Sequence, residues 1–149
     1  MGKTFEDFTL GTTVTSMGVT VTETHVVQWA GLTLDTYPLH IDAEYAAATE
    51  FGQRLVHGPF TFALGVGLMA QTGYAEDAVS AWLGAEELKA RAPVFIGDTI
   101  TLTAEITELR ETNDPARGFM RMHYRLHNQR DELVMTYDML FLVKREGSA

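Results

Sequence analysis

The 149-residue chain has no cysteine, which excludes disulfides, thiolate nucleophiles and cysteine-ligated zinc and leaves the compartment open. No run of about 18 uninterrupted apolar residues is present, so no transmembrane helix is expected. Basic residues are scarce. Eleven Lys and Arg stand against twenty Asp and Glu, a formal charge of −9, which opposes non-specific attraction to nucleic acid or an anionic membrane. The N-terminus, Met1-Gly2-Lys3-Thr4-Phe5-Glu6-Asp7-Phe8, carries acids where a signal peptide needs its apolar stretch. A cytoplasmic protein is expected. No internal repeat, low-complexity tract or linker divides the chain, so residues 1–149 are expected to form one domain, a size that buries about 68–70% of the unfolded surface.

What is present reads as one strand, then helices, then about four strands. An entry segment over 1–12 leads to a Thr- and Val-rich strand over 13–21 with Gly18 as a bulge. Thr22 caps a helix over 23–34, with Val26, Val27, Ala30 and Leu34 as its apolar stripe. Asp42 caps a short helix from Ala43 to Phe51, and Gly52 stops it. A longer helix over 59–72 starts with Pro59 at its first position, and its composition is apolar on every side, as in a helix buried all round. After a turn-rich link, Gly73 to Ser80, the period becomes two. A weaker strand over Leu83 to Ala92 ends at Pro93. Ile100 to Ile106, Met120 to Leu126 and Leu133 to Val143 alternate buried and wet positions. The expected class is α+β, an antiparallel sheet wrapped around one long central helix.

Chemistry gathers in Asp35-Thr36-Tyr37-Pro38-Leu39-His40-Ile41-Asp42 and in Val56-His57-Gly58-Pro59. Pro38 forbids a continuous helix through Asp35 and His40, so both are expected on a shaped loop. Asp42 reads as a cap, and His57 as a hydrogen-bonding support at the entry to the long helix. His40, Asp42 and His57 lack a further ligand at fixed spacing, so no metal is expected. Gly65-Val66-Gly67-Leu68-Met69-Ala70 matches a dinucleotide fingerprint in letters only. It lies inside a helix instead of opening one, and its glycines are expected to let strands approach. Arg121, His123, Arg125 and His127 share one face of a strand, which reads as a solvated face or rim, with CoA phosphates as the alternative ligand.

The pattern Asp35-x-x-Pro38-Leu39-His40-x-Asp42, followed by Phe51 and by Val56-His57-Gly58 opening an apolar helix, resembles the MaoC-type, or (R)-specific, enoyl-CoA hydratases. Ala92 to Thr99 resembles that family's turn before a long strand. The resemblance implies the hot-dog fold and a catalytic pair, Asp35 and His40, holding a water that adds across a trans-2-enoyl thioester. It also implies an oxyanion site at the amide of Gly58, where a helix N-terminus offers unpaired N–H groups and the positive end of its dipole. The family usually has Gly, Asn and Ser where this chain has Leu34, Tyr37 and Ala63. No cofactor is implied. The implied partners are an acyl-CoA or acyl carrier protein thioester and a second copy of the chain, as a homodimer or larger homo-oligomer. Two further readings are a hot-dog acyl-thioester hydrolase and a non-catalytic acyl-thioester binding subunit. Residues 58–75 hold no Asp or Glu of the kind a hydrolase needs to activate water.

Overall fold

The computed structural model describes residues 2–75 and 77–147. Met1 of the expected entry segment and Glu76 of the expected link fall outside it. The elements are a 3-10 turn Phe5–Asp7, β1 Thr13–Thr15, β2 Val19–Thr20, α1 Glu23–Thr33, α2 Pro38–Ile41, α3 Ala43–Ala47, α4 Gly58–Gln71, β3 Val79–Ala90, β4 Thr99–Glu111, β5 Arg117–His127 and β6 Leu133–Lys144.

All pairings between these strands are antiparallel, in the order β1-β4-β5-β6-β3, with β2 also pairing β4. Strands β4 and β5 follow the period-two expectation, whereas in β6 Val134 and Thr136 are buried along with Met135, Tyr137, Met139 and Val143, and Leu133 and Phe141 are only half-buried. Ile100, Leu102, Ala104 and Ile106 from β4, with Met120, Met122, Tyr124 and Leu126 from β5, are buried together in one core. Register puts Ala104 opposite Tyr124, and Tyr124 opposite Tyr137 of β6. Burial raises the phenol pKa of both tyrosines.

Several expected elements come out differently. The strand expected over 13–21 is two short strands: the Ser16 amide still donates to the Leu102 carbonyl at 2.9 Å, but the Leu102 amide donates to Ser16 Oγ at 3.0 Å in place of a backbone carbonyl. Gly18 then passes so close to β4 that a Cβ there would sit 3.0 Å from Thr99 Cγ2. In α1 only Val26 and Ala30 of the expected stripe are buried. Val27 is exposed, and Leu34 lies beyond the helix with φ 64° and 82% of its surface exposed. The helix expected from Ala43 to Phe51 ends at Ala47. Strand β3 begins at Val79 instead of Leu83, and three register shifts interrupt its pairing with β6.

Helix α4 starts at Gly58, so Pro59 occupies its second position. It is not buried all round: Thr61, Gly65, Leu68 and Met69 are buried, whereas Val66 and Gly67 are exposed. Tyr137 fastens the helix to the sheet by donating its hydroxyl to the Phe62 carbonyl at 3.0 Å. Gly65 permits this approach, since a Cβ there would meet the Tyr137 hydroxyl and lie 3.0 Å from Leu126 Cδ1. A Cβ at Gly67 would meet nothing within 4 Å, so the close-approach role belongs to Gly65 alone.

The two glycines separate packing from helix propensity. Gly65→Ala should destabilise the protein by about 1–3 kcal/mol through overpacking, and Gly67→Ala should stabilise it by about 0.5–1 kcal/mol by removing backbone freedom from a helix. Urea unfolding of the two variants checks the opposite signs.

Candidate active site

The chain leaves α1 through Leu34, whose left-handed backbone is strained for a residue with a Cβ. This is the position at which the family resemblance places Gly. The reversal delivers Asp35, whose amide donates to Thr33 Oγ1 at 3.3 Å. Tyr37 is extended, with ψ 132°, as expected of a residue before proline. Pro38 then opens α2 at its first position, so His40 stands on a four-residue helix and not on an irregular loop. Asp42 closes this turn and caps α3, accepting the Tyr45 amide on Oδ1 at 3.0 Å. Tyr37 packs edge-on against both His40 and Tyr45, and its hydroxyl lies 3.4 Å from that of Tyr45. That hydroxyl contact is the main cause of a raised Tyr45 pKa.

A second segment enters from the other side. Arg54 pairs with Glu23 of α1 at 2.8 Å, which lowers the Glu23 pKa. Leu55 bridges Phe95, and the Val56 amide donates to the Val94 carbonyl at 2.8 Å. The turn holding Val94 and Phe95 is itself braced by buried Asp98, which accepts the Phe95 amide on Oδ2 at 2.9 Å and the Gln129 side-chain amide on Oδ1 at 2.8 Å. Backbone pairing therefore places His57 and Gly58 at a fixed height beside α2.

The two segments meet in a pair of stacked imidazoles. The rings of His40 and His57 lie 3.9 Å apart at 26°. His40 Nδ1 contacts the Leu55 carbonyl at 2.8 Å, and His57 Nε2 contacts the Asp35 carbonyl at 3.0 Å. A carbonyl oxygen only accepts, so each of these nitrogens carries the proton. In the neutral ring His40 therefore presents Nε2 as an acceptor. His57 is completely buried, and its Nδ1 faces no donor among the described residues. Asp35 and His40 are half-buried. One carboxylate oxygen of Asp35 and one ring nitrogen from each histidine all lie within 4.8 Å of one another. Three such groups could in principle ligate an ion, but rings stacked face to face do not aim their in-plane lone pairs at a common point.

His40 and Gly58 line one cavity of about 380 Å³, together with Phe51, Val94, Met135 and Arg91 among others. Thr61 closes the first helical hydrogen bond onto the His57 carbonyl at 3.1 Å. The amides of Gly58 and Phe60 precede it, and Pro59 has none. The site thus unites a carboxylate, an imidazole with a free nitrogen and a helix N-terminus.

Of the five residues singled out in the sequence, Asp35, His40 and His57 gather within 4.8 Å and His40 and Gly58 line the cavity, whereas Asp42 joins neither group and caps α3. Ala63, at the family's Ser position, lines a separate apolar cavity of about 390 Å³ with Phe62, Val66 and Trp82. Asp35 is held instead through its backbone, by Thr33 and His57. The histidine and arginine stripe of β5 meets acids: Arg121 reaches Glu86, Glu108 and Asp138 at 2.7–3.2 Å, His123 lies 2.6 Å from Asp138, and Arg125 lies 3.4 Å from Glu105. Sequence reasoning missed the Leu55 and Asp35 carbonyls, which carry no side-chain signal, and Arg91, a charged residue two positions before Pro93.

Comparison with known proteins gives the family and the fold. The MaoC like domain family matches residues 7–123. The chain is 35% identical over 105 residues to the (R)-specific enoyl-CoA hydratase of Rhodospirillum rubrum, covering 70% of each protein. A solved Archaeoglobus fulgidus protein, described as a monoamine oxidase regulatory protein, superposes with a TM-score of 0.91 at 33% identity, covering 97% of this chain and 95% of that one. A Mycobacterium tuberculosis protein described as a double hotdog fold superposes with a TM-score of 0.86 at 21% identity, covering 99% of this chain and 46% of that one, and so shares the fold. The chain is a hot-dog protein of the MaoC-like family, and with that family it belongs to the hydro-lyase class of enzymes.

Proposed function

We propose that the protein adds water to a trans-2-enoyl-CoA to give an (R)-3-hydroxyacyl-CoA, or runs the reverse dehydration, with Asp35 and His40 as catalytic residues. The observation that carries this reading is the fixed tautomer of His40. Its Nδ1 proton is committed to the Leu55 carbonyl, which leaves Nε2 as an acceptor, on a ring that brings a nitrogen within 4.8 Å of an Asp35 carboxylate oxygen. A water between two acceptors donates a hydrogen bond to each and turns a lone pair towards C3 of the enoyl group. As that oxygen bonds to C3, the pair takes one proton from the water and returns one to C2, so both groups finish as they began. Negative charge passing onto the thioester oxygen is met by the Gly58 amide and the positive end of α4. His57 and Asp42 act on position: His57 ties Asp35 to the helix entry, and Asp42 ends the turn that carries His40.

Asp35→Asn and His40→Ala should each lower hydration of crotonyl-CoA by about 10²–10⁴-fold while the fold persists. Loss of the enoyl absorbance, followed beside release of free thiol, tests this directly. Thiol release would mean a hydrolase, neither signal would mean a binding protein, and full activity in either variant would remove the pair from catalysis.

The oxyanion assignment has its own test. A Cβ at Gly58 meets nothing within 4 Å, so Gly58→Ala should change stability by less than about 0.5 kcal/mol. Its methyl group would crowd the place where the thioester sits. Hydration should fall at least about tenfold, and an unaffected rate would rule the site out.

CoA is favoured over an acyl carrier protein, because such carriers are acidic and would meet a chain of charge −9. A homodimer, or an oligomer built from it, completes the reading. Strand β3 is a sheet edge twelve residues long that exposes Trp82, at 58%, with Leu83 and Leu88. Beside it lies the apolar cavity of Phe62, Ala63, Val66 and Trp82. Such an edge and patch invite a partner strand. Sedimentation should give a dimer or larger for the wild type and monomer for Trp82→Glu; a monomeric wild type would contradict the proposal.

A further inference from the structure

We infer that Arg91 is an anion-recognition residue of the site, holding an anionic group of the thioester substrate by its guanidinium. The chain has eight arginines, and seven of them are within 4.0 Å of a carboxylate. Arg91 forms no ion pair among the described residues. With twenty acids to eleven bases, a shortage of partners does not explain it.

Its position makes the isolation meaningful. Arg91 lines the cavity that also holds His40 and Gly58, and these two side chains, Arg91 and His40, are the only titratable ones on its wall among the described residues. The remaining lining is largely apolar, with Phe51, Leu55, Val94, Val134 and Met135. Its backbone is fixed by donation from the Arg91 amide to the Val134 carbonyl at 2.8 Å. The guanidinium is braced at one corner, where Nε donates to Oγ1 of buried Thr136 at 3.2 Å. Among the described residues neither terminal nitrogen has a hydrogen-bond or ion-pair partner, and a guanidinium presents them as a planar fork suited to two oxygens of one carboxylate or phosphate. An apolar cavity with one braced, uncommitted fork is built to take a ligand that is apolar along its length and anionic at one point.

Two parts of a thioester substrate supply that chemistry: a second carboxylate on the acyl chain, or a phosphate of CoA. The inference rests on the hydratase reading only in taking the ligand to be an acyl thioester, so its test uses thioesters that cannot be hydrated. Glutaryl-CoA, butyryl-CoA and butyryl-pantetheine are titrated by calorimetry into the wild type, Arg91→Leu and Arg91→Lys. If Arg91 holds an acyl carboxylate, Arg91→Leu weakens glutaryl-CoA about tenfold or more relative to butyryl-CoA. If it holds a phosphate, both CoA esters weaken about tenfold relative to butyryl-pantetheine. Arg91→Lys, which keeps the charge without the fork, should fall between wild type and Arg91→Leu in either case. Equal weakening of all three ligands would give Arg91 a packing role and overturn the inference, as would unchanged affinities or conversion of Arg91→Leu to a monomer. Failure of the wild type to hydrate crotonyl-CoA would instead strike the hydratase reading and leave these binding ratios standing.

Discussion

The site depends on a reciprocal tie between two backbone carbonyls and two imidazoles. His40, on the segment that follows α1, donates to Leu55 on the segment that enters α4. His57, on that second segment, donates back to Asp35 on the first. Each segment thus orients the other's ring, and the stacked rings keep the two segments in register. Neither segment has much regular structure of its own: α2 and α3 are four and five residues long. Helices that short are unstable alone, so the tie supplies order that local propensity does not. Because both acceptors are carbonyls, the tautomers follow from the geometry, and with them the nitrogen left free for chemistry.

The sheet contributes height and direction. Asp98 braces the turn whose backbone pairs with Leu55 and Val56, and Tyr137 fixes α4 by its Phe62 carbonyl, so the helix N-terminus and the imidazoles refer to one frame. Gly65 lets the helix settle onto Tyr137, which makes the absence of a side chain there a positional requirement. The far side of α4 is a different surface, apolar and continuous with the β3 edge, and it has no counterpart in the chemistry of the site.

Much of this was legible in the sequence where a period or a named side chain carried the information. Alternation in β4 and β5 marked the core residues, and Asp35, His40 and Gly58 stood in a recognisable order. The two-sided character of α4 was not legible, because a helix apolar all round looks the same whether its second face meets its own sheet or something else. The small helix at Pro38 was hidden by the usual meaning of proline as a breaker, although at a first helical position proline is compatible with a start. The split of the first strand depends on Ser16 reaching a backbone amide, a tertiary event. The carbonyls that orient the histidines belong to Leu55 and Asp35, and any residue supplies the same oxygen.

Orientation by backbone carbonyls affects how such a site changes over time. Where carbonyls do the orienting, the side chains around them are released from that duty and can vary without moving the rings. Leu34, Tyr37 and Ala63 stand where the family resemblance puts Gly, Asn and Ser, and the imidazole pair nevertheless holds its stacked arrangement. A lineage can therefore remodel the walls of the 380 Å³ cavity, and so what fits there, while the imidazole pair keeps its arrangement.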